Sequence, residues 1–187
     1  MGFAKINRII WREVSVMKTK NSLADDTANQ SENAAVAKPA GNRILVVDDD
    51  ASVREMLARV LVGEGYLVWS AADETVACEI AGAEKIDLAL LDLNMPGKDG
   101  WHIFERLAAE NPLLTVIIIT ARSNQLFTAL GAGVAALLEK PLNFTKLLQT
   151  IDRLLAEPVA SRRARMAGDL ADFQYLHAPP KGQKRQK

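Results

Sequence analysis

From Arg43 onward the chain alternates short apolar runs with amphipathic segments, and four of the runs stop at a polar residue. Residues 44–47 (Ile-Leu-Val-Val) end at Asp48-Asp49-Asp50, residues 88–91 (Leu-Ala-Leu-Leu) at Asp92, residues 116–119 (Val-Ile-Ile-Ile) at Thr120, and Leu137-Leu138 at Glu139-Lys140-Pro141. Such runs are too short for helices and suit strands buried on both faces. A further strand is expected near residues 67–70. Helical spacing connects Val53, Met56, Leu57, Val60 and Leu61, and again Phe144, Leu147, Leu148, Ile151, Leu154 and Leu155, each set forming one buried stripe. Shorter helices are expected near 73–83, over 100–110 where Asn111-Pro112 stops them, and over 124–130 before Gly131. Asp50 and Asn143 suit N-caps, and Pro158 ends the last helix.

Five repeats of strand then helix predict a doubly wound, five-stranded parallel sheet with helices on both faces, joined by right-handed crossovers. All four polar ends then meet at one edge of one sheet, which is where open α/β sheets bind ligands.

Composition sets the outer bounds. With 187 residues, 49% of them hydrophobic, there is material for one domain plus extensions. The single cysteine, Cys78, excludes an internal disulfide and fits a reducing, cytoplasmic setting. No run approaches the roughly 20 apolar residues of a membrane-spanning helix. The net charge of zero conceals an uneven spread: residues 41–157 carry ten basic and seventeen acidic side chains, residues 158–187 seven and two. An acidic domain argues against nucleic acid as its main partner, since phosphate backbones require clustered Lys and Arg.

Residues 1–40 read as a leader, flexible over 18–40 where large apolar side chains are few. Its start has two readings: Phe3, Ile6, Ile10 and Val14 with Lys5, Arg8 and Arg12 form a basic amphipathic helix suited to a membrane surface, or translation begins at Met17. Residues 41–157 form the domain, and residues 158–187 a basic, disordered tail. His102 and Cys78 read as incidental helix residues.

Chemistry concentrates at the strand ends. Asp92 precedes Leu93-Asn94-Met95-Pro96-Gly97, a loop signal that leaves its carboxylate exposed to a ligand. The first strand lies beside it, so Asp48 and Asp49 converge on Asp92. Two carboxylates about 4 Å apart repel by roughly 4 kcal/mol at an effective dielectric near 20, which calls for a cation or a raised pKa. Hard oxygens without His or Cys favour Mg²⁺. An ionised Asp beside a metal and a lysine can attack a phosphoryl group, with Lys140 neutralising the developing charge and the Thr120 hydroxyl donating to a phosphoryl oxygen. Singly, each residue is an ordinary turn or cap. Four at four successive strand ends are not required by turn chemistry.

The segments Ile44-Leu45-Val46-Val47-Asp48-Asp49-Asp50, Leu90 to Gly100, Ile118-Ile119-Thr120-Ala121 and Glu139-Lys140-Pro141 closely resemble the receiver domain of two-component response regulators, over residues 43–157. The resemblance implies a flavodoxin-like fold and assigns the phosphoacceptor to Asp92. It assigns Mg²⁺ to Asp48, Asp49, Asp92 and the backbone carbonyl of Asn94, the switch hydroxyl to Thr120, the phosphoryl-contacting lysine to Lys140, and a cis bond to Lys140-Pro141. Ala121 keeps the neighbouring position small. Where the family usually places Tyr or Phe, three residues before the lysine, this chain has Leu137.

The expected function is a single-domain response regulator, not a turnover enzyme. It takes phosphate from a histidine kinase or histidine phosphotransfer protein and alters binding to a downstream protein target. Leu137 motivates an alternative, a non-switching scaffold. A phosphatase of the aspartate-nucleophile type is disfavoured, because Asn94 stands where such enzymes carry a second Asp.

Overall fold

The computed structural model describes residues 41–95, 100–122, 124–169 and 173–178. The leader, residues 96–99 of the Asp92 loop and the last nine residues lie outside the described residues. Five strands appear where the apolar runs predict them: β1 (Arg43–Val47), β2 (Leu67–Ala71), β3 (Leu88–Asp92), β4 (Thr115–Thr120) and β5 (Ala136–Glu139). Alternating with them are α1 (Ala51–Gly63), α2 (Glu74–Ala83), α3 (Gly100–Glu110), α4 (Leu126–Gly131) and α5 (Phe144–Leu155). All strand pairs are parallel, in the order β2-β1-β3-β4-β5 and then one strand more. None of the described helices is long and apolar enough to cross a membrane.

The caps are those the sequence indicates. Asp50 accepts from the Ser52 N–H at 2.8 Å and starts α1, while Asn143 accepts from the Lys146 N–H at 3.1 Å and starts α5. The two faces of the sheet bury separate cores. On one, Leu45, Leu91, Ile118 and Leu137 pack under α2, α3 and α4; on the other, Ile44, Leu90, Ile117 and Leu138 pack under α1 and α5. The α5 stripe is buried at Leu147, Ile151 and Leu154 as expected. In α1 only Leu57 and Leu61 of the stripe are fully buried, and Met56 faces solvent. In α2 the inward residues are Ala77 and Ile80, with Val76 turned outward.

The expectation of a disordered tail from residue 158, and of a five-stranded sheet, is corrected. Val159–Met166 form α6 and Gln174–Leu176 form β6, a sixth strand parallel to β5. Ion pairing, which composition does not display, holds this extension. Arg165 and Glu157, both about 5% exposed, pair at 2.5 Å, and Arg162 Nη2 reaches the carbonyls of Leu154 and Leu155 at 3.5 and 3.4 Å, capping the end of α5. Gly133, at φ +73, takes the left-handed turn between α4 and β5, a backbone conformation that a side chain would strain.

Candidate functional site

Parallel strands bring β1, β3 and β5 to a common edge, and three of the predicted residues meet there directly. Lys140 Nζ donates to Asp92 Oδ2 at 2.6 Å and to Asp48 Oδ2 at 3.0 Å. Asp48 and Asp92 are almost fully buried, whereas Asp49 is exposed. One carboxylate oxygen from each of the three aspartates lies within 4.8 Å of the others. The set is all oxygen, and its net charge with Lys140 remains negative, so a small hard dication such as Mg²⁺ fits it.

The backbone orients each carboxylate. Asp48 Oδ1 accepts the Asp50 N–H at 2.9 Å, and Asp92 Oδ1 accepts the Asn94 N–H at 2.9 Å. Arg54, one turn into α1, donates from Nη1 to the Asp48 carbonyl at 2.6 Å and ties the helix to the strand end. Thr120, fully buried, accepts the Arg122 N–H at its Oγ1 at 3.0 Å, and its carbonyl accepts the Lys140 N–H at 2.8 Å. Ala121 follows it, exposed to solvent. The Lys140-Pro141 bond is cis.

Burial pushes the Asp48 carboxyl above the usual range; its bonds to Lys140 and the Asp50 N–H oppose this, and the nearby Asp92 charge adds to it. Burial acts on the Lys140 ammonium in the opposite sense, but the two carboxylates against it together hold it above the ordinary lysine value. The lysine stays charged at every physiological pH and occupies the space between two anions.

Two further residues belong to this architecture for reasons the sequence does not spell out. Gly100 opens α3 directly beneath Asp92: a Cβ there would lie 2.6 Å from Leu93 Cα and 2.7 Å from the Asp92 carbonyl oxygen. Only glycine allows the helix to start so close to the strand. Glu139, next to Lys140, is held by the added strand: the Tyr175 hydroxyl donates to its Oε1 and the Ala178 N–H to its Oε2 at 3.2 Å. Leu137 is buried in the core of β5. His102 stands near Glu74, 3.3 Å away on the flank of α2 and α3.

The family model described as the response regulator receiver domain matches residues 44–152. The chain belongs to this family. Receiver domains are phosphoacceptor switches of two-component signalling, and the flavodoxin-like fold expected from the sequence is the one observed. Among curated relatives, response regulator MprA of Mycobacterium ulcerans is 36% identical over 131 residues, 69% of this chain and 54% of MprA. The transcriptional regulatory protein GlrR of Escherichia coli is 34% identical over 134 residues, 70% of this chain and 30% of GlrR. The chain thus spans about half or less of these two relatives. Solved receiver structures are matched almost end to end. A CheY-like receiver domain protein of Methanospirillum hungatei gives a TM-score of 0.59 at 29% identity, covering 66% of this chain and 97% of its own. Response regulator TrrA of Thermotoga maritima, solved with Mg²⁺ and BeF, gives 0.56 at 29% identity, covering 60% and 98%.

Proposed function

We propose that this chain accepts a phosphoryl group on Asp92 from a histidine kinase or histidine phosphotransfer protein, acting as a response regulator whose phosphorylation alters binding to a downstream protein. The observation that carries this reading is the Lys140 ammonium bonded to both Asp92 and Asp48 at the edge where the strand ends meet. Asp48, Asp49, Asp92 and the Asn94 carbonyl would hold Mg²⁺, which when bound supplies positive charge to the phosphoryl oxygens. The rest of the work falls to the chain. An oxygen of the ionised Asp92 forms the new P–O bond as the P–N bond of the donor phosphohistidine breaks, and the bonding pair returns to the imidazole nitrogen. Lys140 moves with the charge it already faces, and the Thr120 hydroxyl, one strand away, can turn from Arg122 to a phosphoryl oxygen. The donor imidazole leaves and the phosphoryl group stays on the domain, so this is a switch and not a turnover enzyme. The lone Cys78 suits a cytoplasmic setting.

Incubation with acetyl phosphate and Mg²⁺, followed by intact-mass measurement, tests the assignment. Wild type should gain one phosphate, lost on omission of Mg²⁺, and Asp92→Ala should gain none. An Asp92→Ala chain that is phosphorylated as fast as wild type would overturn it.

A further inference from the structure

Two rows of side chains run sideways from the phosphoryl centre to the added strand. Thr120 on β4 is the register partner of Glu139 on β5. Ile118, two residues earlier, partners Leu137, which in turn partners Tyr175 on β6. Register partners share a sheet face, so the rows lie side by side on the α3–α4 face. Tyr175 joins them, because from the Leu137 row its hydroxyl reaches forward to the Glu139 carboxylate. His177 sits 3.7 Å from the other oxygen of that carboxylate, and its ring lies 4.1 Å from that of Tyr175. The aromatic ring of this region therefore comes from β6, while β5 itself carries Leu137.

We propose that β6, with its flanks to residues 173 and 178, is a strap that docks on β5 while Asp92 is free and leaves it when Asp92 carries a phosphoryl group. The inference rests on the phosphoacceptor reading above. The strap's holds are a three-residue ladder, the Thr150 hydroxyl 3.1 Å from Gln174 Oε1, the half-buried Phe173, Tyr175 and Leu176 against the margins of the two cores, and the Glu139 carboxylate that binds Tyr175 and Ala178. Such a unit opens at far lower free energy than the core. Its anchor is the residue next to Lys140. Phosphorylation converts an Asp92 carboxylate oxygen into the bridging oxygen of an acyl phosphate and places new anionic oxygens further out, so Lys140 must shift to follow them. Lys140 N–H is bonded to the Thr120 carbonyl; Thr120 ends β4 and Lys140 directly follows Glu139, the last residue of β5, so the shift is delivered to Glu139. A side-chain hydrogen bond tolerates only a few tenths of an ångström before it weakens. The geometry that holds the strap is the one with Lys140 bridging Asp92 and Asp48, and the phosphorylated geometry holds it less well.

Amide hydrogen exchange on the full chain tests this, with phosphate incorporation measured on the same samples. With Mg²⁺ and acetyl phosphate, amides 174–178 should exchange about tenfold faster than with Mg²⁺ alone, while β1 and β3 change little. Tyr175→Phe should show that faster exchange before any phosphate is added. By reciprocity it should also bind beryllofluoride, a phosphoryl mimic, about threefold more tightly than wild type. Phosphate gained on Asp92 with exchange at 174–178 unchanged or slowed would overturn the strap and leave the phosphoacceptor reading intact. The same would follow from Tyr175→Phe exchanging like wild type, or from Asp92→Ala responding to acetyl phosphate as wild type does. A wild type that gains no phosphate would overturn both.

Discussion

Asp48 and Glu139 stand at the same edge of the same sheet, one just past β1 and the other closing β5, yet their carboxylates live in opposite surroundings. Asp48 is buried beside two more aspartates, and burial raises its pKa even with Lys140 against it. Glu139 accepts a tyrosine hydroxyl and a backbone N–H; the hydroxyl, ahead of the rest, holds it below the usual carboxylate range. The partner responds in kind, the Tyr175 phenol being pushed up to about 12, first by its bond to Glu139. One carboxylate is left wanting positive charge, and the other is already satisfied. The phosphoacceptor centre proposed above, which would receive a cation and a phosphoryl group, is built from the first kind, and a fastening from the second.

The sharpest way to break this contrast is to remove the cation from the first site. Lys140→Met leaves Asp48 and Asp92 buried without their shared partner, and urea unfolding in the absence of Mg²⁺ should show a loss of roughly 3 kcal/mol. Saturating Mg²⁺ should restore part of it. Equal stability of variant and wild type in metal-free buffer would mean that the three carboxylates are not short of positive charge.

Gly100→Ala probes the frame under the same site. The new methyl would sit 2.6 Å from Leu93 Cα and 2.7 Å from the Asp92 carbonyl oxygen, both backbone atoms of one peptide link, which cannot swing aside as the end of a side chain can. A destabilisation of about 2 kcal/mol is expected, together with slower phosphate uptake, because β3 and α3 must separate. Loss of stability with unchanged uptake would show that Asp92 is positioned independently of α3.

The smallest effect comes from acid, and there the two carboxylates differ in sign. Asp48, raised in the folded state, favours folding when protonated; that contribution is present below the ordinary carboxylate value and is lost as pH rises through its folded value. Glu139, lowered in the folded state, contributes stability above the ordinary glutamate value, lost as pH falls through its folded value. Lowering the pH from about 5 to about 3 should therefore reduce exchange protection at residues 174–178 before it touches β1 and β3. Deprotection of β1 first would reverse the comparison.

These contrasts also show what the sequence could and could not display. The strands β1, β3 and β4 were legible because each is buried on both faces and so reads as a run of four successive apolar residues; the α5 stripe was legible because 3.6-residue spacing survives over three turns. Asp50 and Asn143 were legible as caps from their place before a stripe. Met56 faces solvent although it shares the α1 spacing, because a narrow helix face admits two or three apolar residues per turn and tertiary packing chooses among them. The site residues Asp48, Asp92 and Lys140 were brought together by topology alone, once the strands were parallel. The tail was misread for a different reason. Arg162 and Arg165 look like solvated charge until Glu157 and the end of α5 are placed beside them, and a strand of three residues, Gln174-Tyr175-Leu176, is too short to show any period. Gly100 carried no signal of close approach beyond its position before a helix.

The sixth strand has a consequence for how molecules of this protein meet one another. A sheet margin with unpaired N–H and C=O groups is a template for a foreign strand, and very short outer strands are one means of blunting it. With β6 seated, the margin on this side is three residues long, and the four residues of β5 behind it, three of them fully buried apolar side chains, are hidden. Each departure of β6 would expose them. The lifetime of the phosphorylated state would thus also set how long the molecule presents a sticky seam to its neighbours.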